Sequence, residues 1–326
     1  MRRREFITLL GGAAVAWPLA TRAQQQRMPV IGFLSSGSSD RYPAQFRELY
    51  EGLGEAGFHE GQNLAIEYRW ANGENDRLPM LARDLVERRV AAIIAISDSA
   101  ALASKATTST IPIVFSVGND PVRHGLVPSL NPTGNLTGVT NLNVELGPKR
   151  LELIHELVPV SGANIAVLVN PIASNFESVL RDMRDATQTL GLRLHILYAH
   201  SPAEIDLAFA SLAELRPDAL VIGPDNFFNL RSQQLGQLAL RYSIPAIFQT
   251  RDFVTAGGLI SYATTNSGLL RIVGSYVGRI LKGEKPANLP VHQATKVELF
   301  INMKAAKALG FTVPLPLVGR ADEVIE

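Results

Sequence analysis

The 326-residue chain contains no cysteine. That excludes disulfide frameworks, thiolate zinc sites, iron–sulfur clusters and cysteine nucleophiles. It also excludes an anchor attached through an acylated cysteine. Charge of one sign is scarce: 31 basic against 30 acidic residues. Beyond residue 23 no run reaches the 18 uninterrupted apolar residues of a membrane-spanning helix. The six histidines (59, 124, 155, 195, 200 and 292) show no metal-ligand spacing. No Gly-x-Ser-x-Gly elbow marks a hydrolase nucleophile. What is present is a chain that is 46% hydrophobic, long enough for about two globular domains.

The first 23 residues read as a secretory signal, not as part of the fold. Arg2, Arg3 and Arg4 precede an acid-free apolar run from Phe6 to Ala20, and Thr21-Arg22-Ala23 offers a small-x-small cleavage site. Arg3-Arg4-Glu5-Phe6-Ile7 has the pattern of the twin-arginine type. The run is about 15 residues and is interrupted by Gly11, Gly12 and Pro18, short of the roughly 20 needed to cross a bilayer. The expected mature chain is therefore exported and soluble, in the periplasm. Removing residues 1–23 leaves 27 basic and 29 acidic residues, so a nucleic-acid partner has no electrostatic support. Asn135-Leu136-Thr137 is a formal glycosylation acceptor with little meaning in a bacterial twin-arginine protein.

From Met28 onward, apolar β-rich runs alternate with helical patterns. Strands are expected at 29–34, 63–70, 90–96 and 112–117, with helices at 41–56, 76–88 and from Ser97 through Ala106. After a helix at 147–157 the rhythm restarts. Strands follow at 164–169, 193–199, 218–222 and 245–249, with helices at 175–190, 202–215 and 230–242. Residues 257–326 add strands at 258–262 and 296–301 and helices at 267–282 and 303–309. Unalternating strands between helices indicate parallel sheets covered on both faces. The fold class is α/β: two Rossmann-like lobes with parallel sheets joined by a hinge. Lobe one is read as 28–141 plus about 265–290, and lobe two as 142–264 plus about 291–326.

Two phosphate motifs fail on context. Gly52-Leu53-Gly54-Glu55-Ala56-Gly57 has dinucleotide spacing, but its glycines end a helix where the fingerprint must open one. Gly278 to Gly283 resembles half a P-loop, with Glu284 where the lysine belongs. No cofactor and no metal are expected.

In open parallel sheets, ligands bind beyond the carboxyl ends of the strands. Small polar residues stand there: Ser35, Ser36, Ser97, Ser99, Ser116 and Asp120 in lobe one, and Ser174, Asn175, Asp225, Asn226, Phe227, Gln249 and Thr250 in lobe two. Hydroxyls and N–H groups at helix starts suit a carboxylate. A lone acid facing them suits an ammonium. Such residues also cap helices without any ligand. Their recurrence in both lobes, without catalytic signatures, favours a receptor for a zwitterion, an amino acid being the simplest. Tyr42, Phe227, Phe228 and Tyr262 are candidates to clasp an apolar side chain.

Several segments then carry a resemblance over nearly all of residues 28–326. They include Ser109-Thr110-Ile111-Pro112-Ile113-Val114, Asp120-Pro121-Val122 with Gly125-Leu126-Val127, and Gly134-Asn135-Leu136-Thr137-Gly138. Further on come Ala256-Gly257-Gly258-Leu259-Ile260-Ser261-Tyr262, Ile280-Leu281-Lys282-Gly283 and Arg320-Ala321-Asp322-Glu323-Val324-Ile325-Glu326. The chain resembles ABC-transporter substrate-binding proteins of the tryptophan/tyrosine-binding-like group, in the type I periplasmic-binding superfamily. The resemblance implies a monomeric, non-catalytic clamshell that closes on a small ligand and presents it to membrane permease subunits driven by an ATPase. In relatives the ligand is an aromatic or branched amino acid. The family's Asp-Asn acid matches Asp225, and its lobe-one hydroxyl matches Ser97 or Ser99. Ala263 and the stretch from Val291 to Thr295 depart from many members, at positions that bear on ligand identity. The same clamshell also serves as a sensing module for a membrane receptor, and an enzyme on this fold is a third reading.

Overall fold

A computed structural model describes residues 28–39, 43–158 and 162–326. The expected signal segment and Tyr42 lie outside the described residues.

The first sheet begins with β1 (Val30–Ser35), whose strand neighbours are β2 (Ala65–Trp70) and β3 (Ile93–Ile96), both parallel to it. β4 (Ile113–Val117) and β5 (Leu136–Thr140) continue on the β3 side. The short β11 (His292–Gln293) pairs with Val139 and Thr140 at the far edge. The order is β11-β5-β4-β3-β1-β2. β5 was not evident from the sequence, because two threonines and a central glycine dilute its apolar signal. Gly138 is there for proximity: a Cβ at that position would stand 2.1 Å from the Phe115 carbonyl oxygen.

The second sheet repeats the plan with β6 (Asn164–Val169), β7 (Arg193–Tyr198), β8 (Ala219–Ile222), β9 (Ala246–Phe248) and β10 (Ile260–Thr264). β12 (Val297–Asn302) then joins β10 antiparallel, and β13 (Glu323–Ile325) lies parallel beside β12. The order is β13-β12-β10-β9-β8-β6-β7. Each sheet is sandwiched between two apolar clusters, as its nearly continuous Ile, Val, Leu and Phe content requires.

The backbone passes between the sheets three times: after β5, after β10, and between β11 and β12. The helix Leu269–Leu281, which follows β10 of the second sheet, packs on the helix Pro43–Glu55 of the first. Gly52 and Gly274 form that contact, and their missing side chains let the two backbones touch.

Candidate functional site

In a sheet ordered 2-1-3-4-5 the topological switch point lies between strands 1 and 3, where successive helices leave to opposite faces. The first sheet has that order through β2-β1-β3-β4-β5, and the second repeats it through β7-β6-β8-β9-β10. The loops after β1 and β3 thus face those after β6 and β8. Between them lies a cleft of about 310 Å³.

Ser36, Ser97, Asp98, Ser99, Ser116 and Val117 line the lobe-one wall. Ser97 is held at φ 106° and ψ 158°, a backbone region nearly restricted to glycine that costs on the order of 1–3 kcal/mol. This conformation lets its Oγ accept from Ala100 N and cap the helix Asp98–Thr107 at the cleft. Asp98 turns away from a ligand role, since its carboxylate accepts from Gly118 N (3.1 Å) and Asn119 N (3.2 Å).

Ser174, Asn175, Pro224, Asp225, Asn226, Gln249 and Thr250 line the lobe-two wall. Asp225 caps the four-residue helix Asn226–Asn229; its Oδ1 accepts from Phe227 N (2.9 Å) and from Asn170 Nδ2 (3.0 Å). Enclosure by the walls disfavours its charge and raises its pKa, and these donors only partly offset that. Asn175 Nδ2 donates to the Pro224 carbonyl, locking the β6 and β8 loops together.

The two walls meet. Ser99 Oγ donates to Ser174 Oγ at 3.2 Å, and Asn226 Nδ2 donates to Ser36 Oγ at 2.9 Å. Arg123 reaches Asp182 across the mouth at 2.8 Å, the one ion pair among the described residues that joins the lobes. The pair stands outside the cleft, so its influence on a ligand runs through closure alone. Arg123 is half exposed, and such pairs contribute about 0.2–1 kcal/mol. Arg123→Ala is expected to weaken ligand affinity roughly twofold to fivefold at low salt. Titration calorimetry at rising ionic strength should show the wild type converging on the variant.

Five of the anticipated residues stand elsewhere. Ser35 is fully buried, and its Oγ accepts from Gly37 N inside the β1 loop. Asp120 stabilises its own turn by accepting from Val122 N and Arg123 N, and it lines a neighbouring chamber instead of the cleft. Phe227 is packed in the second lobe's core under Arg231, with Phe228 beside it. Tyr262 packs against the other core cluster of that lobe, and its carbonyl is used by Arg150.

Other residues complete the site. Asn75, Asn229, Leu230 and Asp252 line one end, and Asn141, Asn143, Val144, Asn266, Leu269 and Leu270 line the hinge side. Asn141 and Asn143 escaped notice because they follow the unassigned β5. Leu269 and Leu270 lay on an expected helix, but nothing in their spacing says that it returns to the cleft. Among the described lining residues there is no Lys, Arg or His. A ligand carboxylate must therefore be met by hydroxyls and helix N–H groups.

The hinge is braced from beneath by Arg150, which is fully buried. Its Nε donates to the Tyr262 carbonyl at 2.8 Å and its Nη1 to the Asn143 carbonyl at 2.9 Å. Asn143 Oδ1 in turn accepts from Thr264 N, so one guanidinium ties two of the three crossings together. Burial without a carboxylate partner lowers its pKa.

Comparison with known proteins agrees with this geometry. The model of a family described as ABC transporter substrate binding proteins matches residues 27–325. A tyrosine-binding protein of Clostridioides difficile (strain R20291) is 26% identical over 288 residues, covering 88% of this chain and 81% of its own. A solved conserved domain protein from Vibrio cholerae superposes with a TM-score of 0.82 at 28% identity, over 91% of this chain and all of that one. An ABC domain from Streptococcus pneumoniae solved with L-Trp gives a TM-score of 0.78 at 24% identity, over 90% of this chain and all of that one. These structures share the type I periplasmic-binding fold.

Proposed function

The chain belongs to the family of ABC transporter substrate binding proteins, and from that premise we propose that its cleft captures an amino acid with an apolar side chain, aromatic or branched, and presents it to a membrane permease. In this reading the protein is exported, acts as a monomer in the periplasm and releases its ligand unaltered. One observation carries it: the acidic group of Asp225 confronts the strained, hydroxyl-bearing start of the helix Asp98–Thr107 across a cleft closed by contacts from both lobes. The ammonium pairs with Asp225, and the carboxylate meets Ser97, Ser99 and the helix N–H groups. Leu230, Leu269, Leu270 and Val144 supply the apolar wall for the side chain. The tyrosine and L-Trp named for relatives support an aromatic guest.

Affinity in the micromolar range requires about −8 kcal/mol net. A few charge-assisted bonds at roughly 1.5–3 kcal/mol each and one buried apolar side chain at about 1.5–3 kcal/mol reach that scale after the cost of association. The test is calorimetry of the protein with each of the twenty L-amino acids, paired with mass spectrometry of any ligand that survives native purification. Failure to bind any amino acid, with a sugar or other uncharged ligand retained instead, overturns the reading.

Acid acts on the ligand complex and on the empty fold in opposite directions. The ammonium needs Asp225 ionised, and the carboxyl's pKa lies above its ordinary 3.8, so affinity is lost as pH falls through that raised value. In the empty protein the folded chain takes up this proton more readily than the unfolded one. Asp225's contribution to stability therefore increases as pH falls through the same value. Calorimetry and thermal melting from pH 7 down to the ordinary aspartate value of 3.8 are expected to show affinity dropping without a matching loss from this group in apo stability. Affinity that holds as far down as an ordinary aspartate permits would contradict the pairing.

A further inference from the structure

Charge is distributed unequally around the cleft. Three carboxylates line it, those of Asp98, Asp225 and Asp252, with no Lys, Arg or His among the described lining residues. In the reading proposed above, on which this inference rests, Asp225 takes the ammonium and the start of the helix Asp98–Thr107 meets the carboxylate. The two ends of the guest are therefore served differently.

The ammonium meets a formal charge. The carboxylate meets only hydroxyls and N–H dipoles, and these are already in use. Asp98 is the first residue of that helix, where an acid takes up the positive end of the helix dipole. Its carboxylate also accepts from Gly118 N at 3.1 Å and Asn119 N at 3.2 Å in the neighbouring loop. Gly118 lines the same wall, so this negative charge lies within the surface that a ligand carboxylate must approach. Ser97 Oγ is committed to Ala100 N, and Ser99 Oγ donates to Ser174 Oγ. Asp252, exposed in the first turn of the helix Arg251–Thr255, adds a further negative charge from lobe two. Like charges repel most strongly where water is excluded, as in a closed cleft. A carboxamide oxygen accepts hydrogen bonds from the same donors without that repulsion.

We propose that the cleft selects its ligand by the ammonium and the side chain and not by the carboxylate, so that α-amino carboxamides bind as well as the parent amino acids or better. The ligand class is then the primary α-amine bearing a carbonyl group, charged or uncharged.

The experiment starts from X, the amino acid bound most tightly in the panel of twenty. Calorimetry at pH 7 compares X with its carboxamide and with deamino-X, which keeps the carboxylate and carries hydrogen in place of the ammonium. The carboxamide is expected to bind within about threefold of X or more tightly, and deamino-X more than about a hundredfold more weakly. Asp98→Asn tests the cause: removing that charge should shift the affinity ratio about tenfold in favour of X over its carboxamide. The wild-type comparison stands whether or not this variant folds. A carboxamide weaker than X by more than about threefold overturns the inference and leaves the amino-acid reading standing. So does a ratio that a folded Asp98→Asn leaves in place. Deamino-X binding within about a hundredfold of X overturns both, since the ammonium is then not what the cleft holds. If none of the twenty amino acids binds, the underlying reading fails and this inference falls with it.

Discussion

Asp225→Asn is expected to reduce amino-acid affinity roughly tenfold to 150-fold, the effect of removing a charge-assisted contact of about 1.5–3 kcal/mol. Asparagine is the informative choice because it keeps the local architecture. An amide oxygen still accepts from Phe227 N and Asn170 Nδ2, and asparagine caps helices as well as aspartate does. The melting temperature should move little, so the loss is one of charge. Asp225→Ala confuses the two effects: it removes the cap, at about 0.5–2 kcal/mol, and leaves Asn170 Nδ2 without its acceptor. Calorimetry on the folded asparagine variant decides the matter. Unchanged affinity there means the ammonium is bound elsewhere.

Gly274→Leu is expected to destabilise the protein by about 3 kcal/mol or more, lowering the melting temperature by several degrees. A Cβ at this position would sit 2.3 Å from the Leu49 carbonyl oxygen and 2.8 Å from Leu53 N. On the facing helix, a Cβ at Gly52 would sit 2.0 Å from the Arg271 carbonyl oxygen. Both obstacles are backbone, so no rotamer change relieves them, and the helices Pro43–Glu55 and Leu269–Leu281 must move apart. Separation re-exposes Leu49, Leu53, Val273 and Val277, all of them buried to within 1%. The second helix also carries Leu269 and Leu270 into the cleft, so ligand affinity should fall along with stability. Urea unfolding that shows an unaltered midpoint would mean these helices do not pack as described.

How much was readable beforehand differs between fold and site. The helices Gly147–Leu157 and Pro202–Leu215 and the strand Asn164–Val169 are legible residue for residue, because amphipathic spacing and flanking signals coincide there. β5 is not legible: Leu136–Thr140 owes its place to pairing with β4 and to a glycine that lets two backbones close in. At the site, Ser36, Ser97, Ser99, Ser116, Ser174, Asn175, Asp225 and Asn226 were named from their positions at strand ends, and all line the cleft. Ser35 is one residue away from such a position, and the alternation of a strand turns neighbouring side chains to opposite faces. Phe227 follows Asp225 just as closely, but the short helix that Asp225 caps rotates the ring into the core.

Sequence alone determined the class of fold, because period and burial of apolar residues are local properties that each segment carries with it. It also placed small polar groups at strand ends, since a parallel sheet admits few other positions for a site. Tertiary structure decided which of those ends face one another, through three backbone crossings and a glycine-mediated helix contact between residues more than 200 apart in the chain. It alone produced the Ser99–Ser174 and Arg123–Asp182 contacts, the buried brace at Arg150 and the chamber beside the cleft. Each of these joins distant parts of the chain, and no local pattern of residues specifies which distant surface will close against it.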